Sequence, residues 1–174
     1  LASLPAPSTS PASPVPSAPG PSMAARTGLA ALFPVEVGGS PTTIDRELSG
    51  REFLAQIVAF EPMEERITKA LRRRDRRVRD LSFVIGGTSS GSVIAAFQVQ
   101  GGPIRPLVNV LLESLAMERT GQDVASGTVA ARDAFEVLGG FLIGGQGVAY
   151  PKDDVLWLVF SFGEEQVEIF EQLP

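Results

Sequence analysis

From Phe33 onward the apolar positions fall into segments of two kinds, one repeating every second residue and the other every three to four, whereas the first 32 residues carry neither pattern. Val35 and Val37 alternate with Glu36, Gly38-Gly39-Ser40-Pro41 supplies a turn, and Thr42–Leu48 resumes, which predicts a strand pair or one bent strand. Ser49-Gly50-Arg51-Glu52 has the spacing of a capping box and opens a helix bearing Phe53, Leu54, Ile57 and Val58. Glu61-Pro62 breaks or restarts that helix, and Met63, Ile67, Ala70 and Leu71 follow at helical spacing.

Leu81–Gly86 and Ser92–Val99, joined by Gly87-Thr88-Ser89-Ser90-Gly91, read as a hairpin. That glycine- and serine-rich connection is not a phosphate loop: it lacks the Gly-Lys-Ser/Thr ending and leads into a strand. Gly101-Gly102-Pro103 then starts a helix with Ile104, Leu107, Val108, Leu111, Leu112 and Leu115 on one broad apolar face. Gln122–Ala130 alternates weakly and Ala134–Leu138 reads as a strand. Gly147–Tyr150 and Val155–Phe162 form a second hairpin around Pro151-Lys152-Asp153-Asp154, and a helix over Glu164–Leu173 closes the chain. Phe83-Val84-Ile85-Gly86-Gly87 is echoed by Phe141-Leu142-Ile143-Gly144-Gly145, each followed by a turn, an apolar strand and a helix. The echo reads either as two related hairpin–helix units or as coincidence. The expected fold is α+β on both readings: an antiparallel sheet of five to seven strands with three or four helices on one face.

Residues 1–32 read as a disordered tether and 33–174 as a single domain. Leu4–Pro21 holds seven prolines among Ser, Ala, Thr and Val, which suits an extended spacer and neither helix nor ladder. Pro11 and Pro14 match a PxxP spacing, without a flanking Arg or Lys. The chain begins without Met and without a basic segment, so it reads as processed or trimmed upstream of Leu1.

The chain contains no Cys and no His. Disulfides, thiolate nucleophiles, Ser-His-Asp triads and imidazole or thiolate metal sites are therefore excluded, and no cofactor is expected. The net charge of −5 becomes −6 over residues 33–174, because Arg26 is the one charge before them, and an acidic domain of this kind does not suit a nucleic acid backbone. Catalysis would fall to carboxylate pairs, Asp153 with Asp154 or Asp123 with Asp133. The first pair sits in a turn that wants Asp for local hydrogen bonding, so no enzyme is expected. Arg72, Arg73, Arg74, Arg76, Arg77 and Arg79 form a basic run broken by Asp75. It reads as an anion or acidic-lipid patch or, preferred here, as a solvated helix end whose cations complement the dipole and pair with Glu61, Glu64, Glu65, Asp75 and Asp80.

The strand with the single Trp is apolar on both faces: Val155, Trp157 and Val159 point one way, and Leu156, Leu158, Phe160 and Phe162 the other. Either it is central and covered twice, or its second face meets a ligand or partner. Val155, Trp157 and Val159, with Phe97 as a neighbour, are the candidate contact residues for a protein partner or a small apolar ligand.

Phe33-Pro34-Val35-Glu36-Val37-Gly38-Gly39 after a Pro/Ser/Ala spacer, the Ser49-Gly50-Arg51-Glu52 helix start, and the Asp153-Asp154-Val155-Leu156-Trp157 hairpin resemble uncharacterised exported, lipoprotein-like proteins of high-GC bacteria, in which such a leader precedes an FPxEVGG-type domain. The resemblance implies a location outside the cytoplasm, in the cell envelope or secreted, with membrane proximity through a lipid-bearing Cys that this sequence does not contain. The functional expectation is a non-catalytic extracytoplasmic binding or interaction module on a flexible tether. The alternatives are an accessory structural subunit of a larger envelope or membrane complex and, less favoured, a carboxylate-based hydrolase.

Overall fold

The computed structural model describes residues 26, 28–58, 61–123, 134–139, 145–161 and 164–174. Residues 1–25 and 27 of the expected tether over 1–32, the Phe141–Ile143 echo and most of the weak Gln122–Ala130 alternation lie outside the described residues.

Seven strands form one antiparallel sheet: β2 (Ser40–Ser49), β3 (Leu81–Thr88), β4 (Val93–Val99), β5 (Glu118–Asp123), β6 (Phe135–Leu138), β7 (Gln146–Lys152) and β8 (Val155–Phe160). A two-residue β1 (Glu36–Val37) extends the edge, giving the order β1-β2-β3-β4-β8-β7-β6-β5. The α+β class and the antiparallel sheet are those expected from the sequence. β4 and β8 meet at the centre, with Ala96 opposite Trp157 and Phe97 opposite Leu156.

Period-two alternation sorts the apolar residues of this sheet into two cores. On the first face, Phe83, Ala95, Phe97, Leu156 and Leu158 pack against Phe53, Ile67, Leu71, Leu107 and Leu111. These come from α1 (Gly50–Phe53) with the π-helical turn Leu54–Val58, from α2 (Glu61–Arg72), and from the 3-10 turn Arg105–Leu107 that leads into α3 (Val108–Ser114). Phe53, Phe83 and Phe97 form a ring triad with centroids 4.8–5.1 Å apart. Three helices thus gather on one face, as the sequence predicts. On the second face, Val84, Ile94, Ala96, Val155, Trp157 and Val159 pack against Leu29, Ala30, Phe33, Ile169, Phe170 and Leu173. Here the cover is a 3-10 helix over Gly28–Leu32 and α4 (Glu164–Gln172). The hairpin-then-helix order recurs in both halves, but the two helices leave to opposite faces.

Local chemistry accounts for the joints. The capping box forms as its spacing predicts: the Ser49 amide donates to Glu52 Oε2 at 2.8 Å, and the Glu52 amide donates back to Ser49 Oγ. Gly38 and Gly39 take φ of 56° and 75°, the left-handed pair that a two-residue hairpin turn requires. On the exposed edge strand β2, Pro41, the charged run Asp45–Glu47 and a register break between Ile44 and Arg46 discourage pairing with a further strand.

The fold begins earlier than residue 33. Leu29 and Ala30 are buried, and Arg26 donates to the Pro34 carbonyl and to Thr42 Oγ1, both at 3.0 Å, and to the carbonyls of Phe33 and Thr42. One guanidinium gathers carbonyls from two segments and pins the entry of the chain to β2.

A candidate anion-binding face on α2

The residues singled out on the Trp strand are interior. Trp157, Val159 and Phe97 are each 0% exposed and Val155 is 5%. Phe97 belongs to the first face and the other three to the second, because residues paired across adjacent strands share a face and Phe97 pairs with Leu156, not Trp157. The second face of β8 is covered by the domain's own Phe33, Ile169 and Phe170. These four side chains are therefore core and do not form a contact surface.

The Asp153-Asp154 pair serves its turn. Asp153 adopts φ 50° with its side chain 81% exposed beside Lys152, and Asp154 accepts from Gln98 Nε2 at 3.0 Å. Their backbone carbonyls accept the Ile104 and Val99 amides, which fastens the chain after β4 to this hairpin. Asp123 lies on β5, and Asp133 is outside the described residues.

The Thr88–Gly91 turn does hold an anion, the chain's own Glu165. Thr88 Oγ1 and Ser90 Oγ reach its Oε1 at 3.0 and 2.6 Å. The Ser90 hydroxyl, with help from Ser92 and Thr88, holds the Glu165 carboxyl below its ordinary pKa against the opposing effect of burial. One turn on, Glu168 accepts the Gly38 amide at 2.8 Å. Two carboxylates on one edge of α4 thus fasten it to two hairpin turns.

The remaining concentration of chemistry is α2 and the turn after it. Ile67 and Leu71 bury the inner stripe of this helix, and Arg66 pairs with Glu113 of α3, so the orientation of α2 is fixed. The outer stripe runs from Glu61, Glu64 and Glu65 through Thr68 and Lys69 to Arg72 and Arg73, acids at the N-terminal end and bases at the C-terminal end, as the helix dipole favours. The helix closes in a Schellman turn: the Arg76 amide donates to the Leu71 carbonyl and the Asp75 amide to that of Arg72, both at 3.1 Å, with Asp75 at φ 56°. This reversal swings Arg76 out of the helical path and onto Gly101-Gly102. There its guanidinium donates to the Gly101 carbonyl, and a Cβ added at either glycine would lie 3.2–3.3 Å from it. The two glycines form a saddle that side chains would fill.

Six arginines are brought to one end of the helix with little neutralisation. Arg79 meets Asp80 at 3.7 Å and Arg74 donates to the Ala70 carbonyl at 3.2 Å. Arg72, Arg73 and Arg77 are exposed and form no ion pair among the described residues. The expected ion pairs with Glu61, Glu64, Glu65 and Asp75 do not form: the three glutamates lie nearer the helix start, and Asp75, though on the same surface, is within ion-pair distance of none of the arginines. Two shallow depressions flank this surface and share Thr68 and Arg72. The first, nearer the helix start, is walled by Glu61, Glu64 and Glu65. The second, about 500 Å³, is lined by Thr68, Arg72, Asp75, Arg76, Arg77 and Val78.

The sequence exposed the run of arginines but neither the Gly101-Gly102 saddle nor the part of Thr68. The signal for the saddle was a glycine pair preceding Pro103, which reads equally well as a helix start. Among the described residues no group of acidic side chains is placed to hold a metal ion, and no helix is long and apolar enough to cross a membrane. No protein-family model matches this chain, and comparison with curated proteins and with solved structures gave no match.

Proposed function

We propose that this chain is a non-catalytic interaction module that recognises negative charge through the arginine-bearing end of α2. The observation that carries the reading is the exposure of three guanidinium groups, Arg72, Arg73 and Arg77, that form no ion pair among the described residues, gathered around the end of α2 in a chain whose net charge is −5. Cations left without acidic partners in an acidic protein are a surface suited to an anionic partner. The burial of both sheet faces supports placing contact on this charged face and not on the Trp strand. The reading keeps an extracytoplasmic setting in which the Pro/Ser/Ala-rich leader acts as the spacer, and that part rests on composition.

Chromatography on a sulfonate cation exchanger at pH 7 tests the reading. A chain of pI 4.8 should flow through unless an oriented basic surface engages the resin. Expected are retention of the full chain, release by added salt, and loss of retention in the Arg72→Ala, Arg73→Ala, Arg77→Ala variant. Free passage of the wild type, or retention unchanged in that variant, refutes the reading.

A further inference from the structure

We infer that the second depression, formed by Thr68, Arg72, Arg76 and Arg77, is a site for a phosphate monoester group; the inference rests on the charge-recognising role proposed above and gives it a ligand. Three guanidiniums and one carboxylate, Asp75, line the depression, a local charge of +2. A phosphate monoester carries about −1.5 to −2 at neutral pH, so it matches this charge, whereas carboxylates and sulfate monoesters carry about −1. Guanidinium groups also meet phosphate oxygens two at a time, which a compact ammonium cannot do. The first depression shares Thr68 and Arg72 but is walled by Glu61, Glu64 and Glu65, so an anion is directed to the second.

Arg76 gives the site a fixed element. Its guanidinium lies over Gly101-Gly102 and is held by the Gly101 carbonyl, so its direction is set before a ligand arrives. Thr68 sits one helical turn before Arg72 on the same face, where its hydroxyl can serve a phosphate oxygen. Arg72 and Arg77 are exposed and free to close on the ligand from either side. A volume of about 500 Å³ leaves room for the group that bears the phosphate, with Val78 as the apolar part of the lining.

Titration calorimetry of the full chain with phenyl phosphate and with phenyl sulfate, a largely dianionic and a monoanionic monoester, tests the inference, together with co-sedimentation on phosphatidylcholine vesicles doped with phosphatidic acid, a monoester, or phosphatidylglycerol, a diester. Expected are phenyl phosphate binding in preference to phenyl sulfate and a loss of about tenfold or more in the Arg72→Ala, Arg77→Ala variant, both positions being exposed and outside the core. Asp75→Gly, which removes the one carboxylate and suits the left-handed φ, should tighten binding. Binding of phenyl phosphate supports a soluble phosphate ester as the source. Binding to phosphatidic acid vesicles alone supports a lipid headgroup. Equal binding of phenyl phosphate and phenyl sulfate, or of the two doped vesicles, overturns the monoester assignment. So does absence of binding to every probe; resin retention then decides separately whether the broader function survives.

Discussion

The Phe33 ring lies against Trp157, centroids 5.3 Å apart and planes 58° from parallel. This contact joins the entry of the chain to its central strand. Trp157 is fully buried, and Phe33, at 3% exposure, is part of its lid. Phe33→Ala removes that lid and opens a cavity at the end of the second core, so a loss of about 3 kcal/mol is expected. Trp157 is the chain's single Trp, so its emission reports on its own cover. Denaturant unfolding followed by fluorescence should show both the lowered midpoint and a red-shifted native emission. A variant with unshifted emission would mean that other side chains cover the ring without Phe33.

Gly86, the first glycine of one Phe-x-Ile-Gly-Gly segment, and Gly145, the second glycine of the other, meet different constraints. A Cβ on Gly86 would lie 2.1 Å from the Thr43 carbonyl oxygen, a backbone atom of the adjoining edge strand that cannot yield without unpairing. On Gly145 it would meet nothing within 4 Å, and the obstacle is φ of 91° alone. Gly86→Ala should therefore cost about 3 kcal/mol and loosen β2, while Gly145→Ala should cost about 1 kcal/mol through backbone strain. Parallel thermal unfolding of the two variants checks the ranking, and hydrogen exchange along Thr42–Ser49 checks which strand is released. Equal costs would contradict the close approach at Gly86.

What was legible in the sequence is what depends on near neighbours. The Ser49–Glu52 box needs only its spacing, and the two-faced character of Val155–Phe160 needs only alternation. What covers the second face was not legible, because Leu29, Phe33, Ile169 and Phe170 come from the two ends of the chain and no local period links them to Trp157. An apolar strand face looks the same in sequence whether its cover is the chain itself or a partner. The candidate site divides in the same way. The arginines announce themselves as a run, but the resting place of Arg76 is made by a turn reversal at Asp75 and a glycine pair on a different loop, a pairing set by tertiary structure alone.

Ala116 occupies the left-handed position that ends α3. The Met117 amide donates to the Leu112 carbonyl and the Ala116 amide to that of Glu113, both at 2.9 Å, with Ala116 at φ 55°. This is the position at which glycine is favoured, because a Cβ there crowds the backbone. Ala116 is exposed, so its methyl group contributes little packing. Ala116→Gly should raise stability by up to about 1 kcal/mol, the relief of strain exceeding the added flexibility of the unfolded chain. A higher melting temperature with unchanged enthalpy per residue is the expected result. A lower one would mean that the methyl group packs in a way its exposure conceals.

Glu165 couples the stability of the second face to acidity. Its carboxylate receives the Ser90 and Thr88 hydroxyls, and these bonds to the charged form hold its folded pKa below the ordinary 4.5. Unfolding then takes up a proton in the interval between the two values. The stabilisation is fully present above pH 4.5 and is lost as pH falls through the lower folded value. Glu165→Gln keeps the shape and removes the charge, so it should lower the denaturant midpoint at pH 7, by a fraction of a kcal/mol given the exposure of the Ser90 hydroxyl. The gap between wild type and variant should close as the buffer is taken below pH 4.5, since the wild-type carboxyl becomes neutral as well. A gap of constant size across that range would show that the amide disturbs packing of α4 and that the charge itself contributes nothing.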